Sequence, residues 1–308
     1  MKIACIITAY KDPNQLKRTI TKLGKMDFYV HVDAKVDIAP FKRILSGCTV
    51  HYVEDRVFVG WGGYSQVESL KRLIRDVLDS CKEYDRVLCI SGQDYPVYSY
   101  KRIEKFFEDY PQKNFLTSLN ISEYKNVHSL QKIQRYWFYD IRIKNTLIMK
   151  SVRKLLYFCA GAGYYLGALK KDNHLYVNDT RWDVFFGSDY WCLTYDCAKY
   201  VYASLSNKSI ENYFKHSFAP SELIIHTIVQ NSEYKGTCEI ILAKDYSFQK
   251  VTPLQYVNYL STGMKVLDEN DYKVVIESGR LFCRKVETGI SDKLEDMLDA
   301  NMIYSGLS

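Results

Sequence analysis

The sequence predicts an α/β fold with a mainly parallel sheet flanked by helices. Short apolar runs rich in β-branched residues alternate with amphipathic segments of helical period, as in a sheet that helices cover on both faces. Polar clusters follow three of these runs: Thr8-Ala9-Tyr10, His31-Val32-Asp33 and Ser91-Gly92-Gln93-Asp94. Because ligands of such sheets bind beyond the carboxyl ends of the strands, three clusters on one edge favour a nucleotide or sugar-nucleotide site.

The first 120 residues supply most of the predicted sheet. The apolar runs predict strands over residues 2–9, 27–32, 49–53, 86–91 and 114–118. A helix start at residues 12–14 predicts a helix over residues 15–23. A Gly-rich turn at residues 60–63 leads into a helix over residues 65–80, and another covers residues 100–110. Strands and helices therefore alternate as a layered sheet requires.

The middle of the chain, residues 131–171, is rich in basic and aromatic side chains. It includes an uncharged run over residues 155–169, which is too short to span a bilayer. One interpretation is a basic amphipathic helix beside an apolar one, both lying on an anionic bilayer. The other, which we favour, is a helical hairpin that packs on the core or lines a cleft.

The α/β pattern returns at residue 183. We predict one strand over residues 184–194 with a Gly-Ser kink, and then a helix over residues 196–204. The stretch FAPSELIIHTIV at residues 218–229 predicts a helix with Ser221 as N-cap, which places Glu222 at the first helical position. The remaining elements are strands over residues 238–243 and 280–286 and helices over residues 268–277 and 291–302. No repeat or linker interrupts the 308 residues, so we predict a single domain.

Composition narrows the class of protein. A net charge of +6 mildly favours anionic ligands or an anionic membrane face, and without an Arg-rich stripe it does not support nucleic-acid binding. Nine scattered cysteines without a Cys-x-x-Cys motif predict free thiols in a reducing compartment. The N-terminus runs directly into the first strand, which is unlike a signal peptide. We therefore expect a cytoplasmic protein, with peripheral contact to the inner face of the cell membrane as an option.

No metal site is expected. Asp-x-Asp is absent, and the looser acidic pairs Glu83/Asp85 and Glu269/Asp271 lie in segments predicted to be exposed turns. The six histidines are dispersed, which is unlike a zinc site. A pyrophosphate bound without metal needs basic side chains, for which Arg284 and Lys285 are candidates on opposite faces of one strand. Gly-x-Gly-x-x-Gly, P-loop and Gly-x-Ser-x-Gly motifs are missing, so dinucleotide, ATP and serine-hydrolase sites lack support.

Two acidic residues have both a structural and a functional interpretation. Asp33 follows a buried strand, where it can accept hydrogen bonds from uracil or ribose, or cap the next turn. Glu222 can complement the dipole of its helix or act as a base.

Six motifs together resemble the core-2/I-branching glycosyltransferase family, which includes β-1,6-N-acetylglucosaminyltransferases and peptide O-xylosyltransferases. They are HVDAK (31–35), VGWGGYSQVES (59–69), SGQDYPV (91–97), FFGSDYWCLT (185–194), PSE (220–222) and LFCRK (281–285). Each motif is weak alone, and the order of all six carries the resemblance. The start of the chain within a strand leads us to expect a bacterial member that consists of the catalytic domain.

The resemblance implies a GT-A-like nucleotide-diphospho-sugar transferase fold and an inverting reaction with a UDP-sugar donor and no divalent metal. Glu222 falls on the glutamate of the family's Pro-Asp-Glu motif, the general base, with Ser221 replacing the aspartate. Asp33 falls on the uridine-side aspartate, and Lys285 on the lysine that binds the diphosphate. Arg284 beside it, with Thr8 and Tyr10 at the first strand end, completes the expected donor site.

The expected sugar and acceptor cleft consists of residues near the other motifs: Asp94, Gln93, Trp61, Trp191 and Ser188. The family's donors suggest N-acetylglucosamine or xylose, and the acceptor would be an oligosaccharide or a lipid-linked glycan in surface polysaccharide synthesis. Residues 1–120 would form the nucleotide-binding half, 121–182 a basic and aromatic helical insertion, and 183–308 the acceptor and catalytic half.

One departure keeps a second hypothesis open. The family's second diphosphate ligand, an arginine, aligns near Leu242, and Lys244 or Lys250 would have to replace it. The alternative is a non-catalytic sugar-nucleotide or glycan-binding module on a degenerate transferase scaffold.

Overall fold

The computed structural model of the protein describes residues 1–123, 127–143 and 145–305. Residues 124–126 and 144, which belong to the predicted helical insertion, lie outside this part. The strands are β1 Ile3–Ala9, β2 Asp27–Val32, β3 Val50–Tyr52, β4 Arg86–Ser91, β5 Asp94–Pro96, β6 Thr117–Asn120, β7 His174–Val177, β8 Thr180–Asp183, β9 Phe185–Gly187, β10 Trp191–Thr194, β11 Glu239–Ile241, β12 Gln255–Val257, β13 Tyr259–Leu260, β14 Gly263–Met264 and β15 Phe282–Arg284.

Helices lie between and around these strands. They are α1 Pro13–Leu23, α2 Ala39–Ile44, α3 Ser65–Asp79, α4 Tyr100–Glu108, α5 Val127–Gln134, α6 Thr146–Tyr165, α7 Tyr195–Ser204, α8 Lys208–Phe214, α9 Ser221–Gln230, α10 Phe248–Val251, α11 Tyr272–Glu277 and α12 Asp292–Ser305. Short 3₁₀ helices cover Glu233–Thr237, Ala243–Asp245 and Glu269–Asp271.

The central sheet has the order β10-β4-β1-β2-β3, and only β10 is antiparallel to its neighbour. Thr8 lies opposite both His31 and Ser91, so the three polar strand ends meet at one edge, as predicted. Side chains alternate across β1: Ala4 and Ile6 belong to one buried core, and Ile3, Cys5 and Ile7 to the other. The predicted α/β fold with a mainly parallel sheet is confirmed.

A second sheet, in the order β11-β6-β9, supports α9. The His226 side chain of α9 is buried between the Ser118 hydroxyl of β6, 2.9 Å from its Nδ1, and the Ser188 carbonyl, 2.9 Å from its Nε2. A Cβ added to Gly187 would lie 2.1 Å from the His226 ring, so β9 needs glycine there. This close contact fixes α9 against the sheet.

In the third sheet, β12-β15-β5, the last strand of the chain pairs with β5. Strand β5 begins directly after the turn that follows β4 of the central sheet. Arg284 of β15 lies opposite Asp94 of β5. The strand predicted over residues 280–286 is shorter than expected and ends at Arg284, so Lys285 lies just beyond it; the two side chains pair with different acids, Asp94 and Glu287.

Several predicted elements need correction. The single strand expected over residues 184–194 is two strands, β9 and β10, which belong to different sheets because residues 188–190 turn the chain. The strand predicted at residues 114–118 is shifted to Thr117–Asn120. The basic and apolar runs expected to form two adjacent helices share one helix, α6. The short helices α2 and α8 and the β7–β8 hairpin were not predicted.

All nine cysteines are free thiols, as predicted, and five of them are buried. Among the described residues, none of the helices is both long and apolar enough to cross a membrane.

Candidate active site

Glu222 lies at the N-terminal end of a helix that is otherwise buried. Pro220 is the residue before α9 and Ser221 is its first helical residue, so the prediction of Ser221 as N-cap was wrong by one position. Glu222 is the second helical residue, and every other residue of α9 is buried. The side chain of Glu222 keeps 29% of its surface exposed. The carboxyl group of Glu222 is therefore held at the surface by a helix that is packed into the interior.

The pKa of Glu222 differs from what its position at a helix start would give. The helix dipole alone would favour the ionised carboxylate. Burial instead raises the pKa of Glu222 to about 7, with Lys132 lowering it and the charge of Asp189 raising it. Burial therefore outweighs the dipole, because desolvation disfavours the charged form. A carboxyl group with a pKa near the working pH is suited to general base catalysis.

Lys132 is the cation that faces Glu222. Its Nζ lies 3.3 Å from Glu222 Oε2, and the same ammonium group lies 4.2 Å from the centre of the Phe186 ring. Both side chains of the ion pair are partly exposed, at 27% and 29%. Lys132 therefore stabilises the ionised form of Glu222, and both side chains of the pair remain accessible to a ligand.

Asp189 provides a second carboxyl group near Glu222. Burial raises the pKa of Asp189, and the Ser221 hydroxyl, Arg284 and Lys132 oppose the rise. Its Oδ1 is buried and has no hydrogen-bond partner among the described residues. The charge of Asp189 is in turn one of the causes that raise the pKa of Glu222, because two neighbouring carboxylates repel each other.

The polar strand ends form a connected group at the carboxyl edge of the sheet. Glu287 Oε1 accepts hydrogen bonds from Lys11 Nζ at 2.7 Å, Lys285 Nζ at 2.8 Å and Gln93 Nε2 at 3.0 Å. Tyr10 donates from its hydroxyl to Gln93 Oε1 at 3.0 Å. These donors lower the pKa of Glu287 to about 2 against the effect of its burial. Two ammonium groups therefore share one carboxylate oxygen at the place predicted for a donor diphosphate.

Arg284 does not share this open position. Its guanidinium donates to Asp94 Oδ1 at 2.9 Å and to the Ser91 hydroxyl, and it stacks over the Tyr190 ring at 4.4 Å. The Asp94 side chain is fully buried. We therefore correct the prediction for both residues: they form an internal ion pair under the edge of the sheet.

Asp33 lies at the end of β2 and is already well bonded. Its Oδ1 accepts from the backbone N–H of Lys35 at 2.9 Å and of Val59 at 3.2 Å, and its Oδ2 lies 3.2 Å from Lys35 Nζ. The turn-capping interpretation therefore applies, and Asp33 also ties the segment before Trp61 to the sheet.

An aromatic cluster made of Trp61, Trp137, Tyr139, Tyr157 and Phe218 lies beside Glu222. Phe218 stands four residues before Glu222, and its ring centre is 5.7 Å from Trp61 and 5.1 Å from Trp137. Trp61 is 73% exposed, which suits a side chain that stacks on a sugar ring. Gly62 has a φ of +74°, and a Cβ there would lie 3.3 Å from the Phe218 ring. The Gly-rich turn is therefore needed to bring Trp61 to this cluster.

Two residues predicted for the cleft have internal roles. Trp191 is fully buried in the core because it faces inward on β10, so its predicted place in the cleft is wrong. Ser188 accepts a hydrogen bond from Tyr190 N at 3.1 Å, and its carbonyl contacts His226. Gln93 is buried but joins the donor edge through Glu287.

A cavity of about 390 Å³ lies on the other side of the aromatic cluster. Gly62, Trp137, Tyr139, Asp140 and His216 contribute to its lining, and Glu222 does not. Asp140 accepts hydrogen bonds from the backbone and the hydroxyl of Ser65 at the start of α3.

The loose acidic pairs have other partners. Glu269 pairs with Lys293, and Asp271 is buried and completes a capping box with Asp268 rather than lying exposed. Asp85 accepts a hydrogen bond from the Lys2 backbone. In the part of the chain that the structure describes, His, Cys, Asp and Glu form no group of three or more that is placed to hold a metal ion.

The residues that sequence reasoning missed are Lys132, Asp189, Lys11 and Glu287. Lys132 stands 90 residues before its partner, and Lys11 stands 276 residues before Glu287. Local signals did exist for two of them: Lys11 directly follows a predicted strand-end cluster, and Asp189 lies within the motif FFGSDYWCLT.

A family model described as "Branch: Core-2/I-Branching enzyme" matches residues 3–240. The chain belongs to the core-2/I-branching enzyme family. The match covers β1 to β11 and includes α9 with Glu222, and the mainly parallel sheet agrees with the GT-A-like fold expected for this family.

Curated proteins similar to this chain include xylosyltransferases. The chain is 22% identical to a xylosyltransferase of Ciona intestinalis over 227 residues, which are 71% of this chain and 24% of that protein. It is 21% identical to xylosyltransferase 1 of Rattus norvegicus over 248 residues, 77% of this chain and 27% of that protein. The chain thus spans about a quarter of the length of the curated relatives it matches.

Solved structures that match this chain include mouse xyloside xylosyltransferase 1 in its apo form. That structure is 9% identical with a TM-score of 0.36, over 78% of this chain and 86% of that one. A 4-diphosphocytidyl-2C-methyl-D-erythritol synthase from Anaerococcus prevotii is 13% identical with a TM-score of 0.36, over 82% of this chain and 90% of that one.

Proposed function

We propose that this core-2/I-branching enzyme is an inverting glycosyltransferase that moves a sugar from a UDP-sugar to a hydroxyl of a glycan acceptor. The observation that carries the proposal is the Glu222 carboxyl group. It is partly exposed, paired with Lys132 and held at the start of a buried helix, with a pKa of about 7. A base in this state can accept a proton at neutral pH.

The reaction needs one proton transfer and one displacement. Glu222 takes the proton of the acceptor hydroxyl as the hydroxyl oxygen attacks C1 of the donor sugar from the face opposite UDP. The bond between C1 and the diphosphate oxygen breaks, and its electron pair leaves with UDP. A single displacement of this kind inverts the configuration at C1.

We propose that Lys11 and Lys285 bind the donor diphosphate. Their ammonium groups lie within hydrogen-bond distance of the same Glu287 oxygen, at 2.7 and 2.8 Å, so both can reach one anionic group. A diphosphate carries more negative charge than one carboxylate and competes with Glu287 for these cations. Lys11 would then supply the second cation that the family pattern places near Leu242. Lys250 is less suited because it pairs with Asp245.

The finer assignments follow from this arrangement. Two lysines that neutralise the leaving group support a reaction that needs no divalent metal. Xylose is the first donor sugar to test because the matched relatives are xylosyltransferases, and N-acetylglucosamine is the second. Exposed Trp61 beside the base suits an oligosaccharide or lipid-linked glycan acceptor, as in surface polysaccharide synthesis on the cytoplasmic side.

The proposal is tested by UDP release from UDP-xylose and UDP-N-acetylglucosamine, in EDTA and in Mn²⁺. We expect release from one donor, unaffected by EDTA and lost in Glu222→Gln. Glu233→Gln is the matched control, since Glu233 is an exposed acid that also starts a short helix. Release that requires Mn²⁺ would overturn the metal-free reaction. UDP binding in calorimetry without turnover on a panel of acceptors would indicate a binding module, and no UDP binding would exclude a transferase.

A further inference from the structure

Helix α6 exposes a row of large apolar side chains. Leu147, Leu155, Phe158 and Tyr165 are exposed by 73%, 62%, 74% and 75%. At 3.6 residues per turn, their spacing places all four within about a quarter of the helix circumference. Leu166, directly after the helix, continues the row and is 82% exposed. We call this the outer face of α6.

The opposite face of α6 fixes the orientation of the helix. Arg153 donates from its guanidinium to the carbonyls of Tyr139 at 2.7 Å and Ile141 at 2.8 Å. Tyr157 packs with its ring centre 5.9 Å from Tyr139 in the aromatic cluster. These contacts turn the outer face away from the rest of the chain.

The charge around the outer face has one sign. Residues 141–171 contain only basic charged side chains: Arg142, Lys144, Lys150, Lys154 and Lys170, together with Arg153 on the opposite face and Lys171, which donates to the Tyr213 carbonyl and the Ser217 hydroxyl. Lys144 lies outside the described residues. Lys150 and Lys154 are exposed on α6 itself and, in the described part of the chain, have no ion pair. A second copy of the chain would bring the same positive charge against this face, whereas an anionic surface would complement it.

We propose that the outer face of α6 docks on an anionic lipid bilayer. Leu147, Leu155, Phe158 and Tyr165 would enter the boundary between headgroups and acyl chains, and Lys150 and Lys154 would lie among lipid phosphates. Interfacial helices combine these two features, apolar contact on one face and attraction to anionic headgroups. The proposal does not rest on the proposed function, since docking needs neither donor nor base.

Docking on this face has a defined relation to Glu222. The inward side of α6 packs on the aromatic cluster, and Phe218 of that cluster stands four residues before Glu222. The bilayer would therefore be separated from the candidate base by α6 and the aromatic cluster.

The experiment is co-sedimentation of the full chain with vesicles of phosphatidylcholine, with and without phosphatidylglycerol. We expect binding only to the vesicles that contain phosphatidylglycerol, and weaker binding at high salt. The double variant Leu155→Ser with Phe158→Ser should reduce the partition coefficient by about tenfold or more, since each substitution removes a large apolar group that would be buried in the bilayer. Lys150→Glu with Lys154→Glu should abolish the preference for anionic vesicles.

Two matched controls test the location. Val274→Ser with Ile290→Ser changes two apolar side chains that are 43% and 50% exposed on another surface. Lys17→Glu with Lys101→Glu changes the net charge equally at two exposed lysines outside α6. Both control pairs should bind like the wild type, and thermal unfolding should confirm that all variants fold.

Several outcomes would overturn the proposal. Wild-type protein that stays in the supernatant with both vesicle types would do so, as would equal loss in the control pairs. A dimer in analytical ultracentrifugation that Leu155→Ser with Phe158→Ser dissociates would assign the outer face to a second copy. UDP release in solution, measured on the same variants, separates failure of docking from failure of the proposed function.

Discussion

The Lys132 ammonium group lies 3.3 Å from a carboxylate oxygen of Glu222, and it lowers the pKa that burial raises. Because a general base works only when ionised, UDP release should fall as the pH drops through about 7. Lys132→Met removes the group that favours the ionised form, so the midpoint of the pH profile should move to higher pH. The measurement is kcat/KM against pH for both proteins.

The control for this prediction is Lys199→Met. Lys199 pairs with exposed Asp196 on α7 and should leave the profile unchanged. An unchanged midpoint in Lys132→Met, or one that moves to lower pH, would contradict the role given to the ion pair.

Asp189 should shift the same profile in the opposite direction. Its negative charge raises the pKa of Glu222, so Asp189→Asn should favour the ionised base and move the midpoint to lower pH. Opposite shifts in the Asp189 and Lys132 variants would locate the titrating group between them. Shifts in the same direction would mean that another group controls the profile.

Lys11 and Lys285 should contribute to donor binding. We expect Lys11→Ala and Lys285→Ala each to raise the KM for the UDP-sugar, or the Kd for UDP, by roughly tenfold to a hundredfold, as loss of a charge-assisted hydrogen bond predicts. Lys17→Ala, on the exposed surface of α1, is the control. Wild-type affinity in Lys11→Ala would leave the second diphosphate cation unassigned.

Two tryptophans should respond differently to substitution. Trp61 is 73% exposed, so Trp61→Ala should weaken acceptor binding and leave the free energy of unfolding nearly unchanged. Trp191 is fully buried, so Trp191→Ala should reduce the free energy of unfolding by about 3–5 kcal/mol. The measurements are the acceptor KM and urea unfolding of both variants. An unchanged acceptor KM in Trp61→Ala would contradict the placement of Trp61 in the acceptor site.

The Arg284–Asp94 pair should contribute to stability. Arg284→Met leaves a fully buried carboxyl group without its cation, which costs about 3–5 kcal/mol in comparable cases. Adding Asp94→Asn removes the buried charge and should recover part of the loss in urea unfolding. Wild-type stability with impaired UDP binding in Arg284→Met would instead return Arg284 to the donor site.

The central sheet was predictable because β1, β2 and β4 are buried on both faces and their sequences are nearly continuous apolar runs. The edge where Thr8, His31 and Ser91 meet followed from the same pattern. The order of the motifs singled out Glu222 as the candidate base. The N-cap of α9 was misplaced because Pro220, which precedes the helix, already has helical backbone angles.

The remainder depends on contacts distant in sequence. No local pattern indicates that Lys132 meets Glu222 or that Glu287 joins Lys11 to Lys285. Trp191 was misplaced because the chain turns at residues 188–190, and the side-chain alternation then restarts on β10. The raised pKa of Glu222 could not be predicted, because its main cause is burial in the folded protein, which a position at a helix start does not reveal.

The contacts of His226 with Ser118 and Ser188 fix α9 against its sheet. Mutations in α9 and mutations in the connecting segments should therefore have different effects. Glu222, the proposed base, belongs to a helix that is packed into the interior, whereas Trp61 and Tyr139 belong to connecting segments outside the sheets. Both segments nevertheless hold the chain just before α9, since Ala219 N donates to the Gly62 carbonyl at 3.0 Å and Trp137 N donates to the His216 carbonyl at 2.9 Å. Under the proposed function, a change of acceptor, by selection or by design, should therefore begin at exposed side chains such as Trp61 and retain the glycines and backbone contacts of residues 58–63 and 137–142.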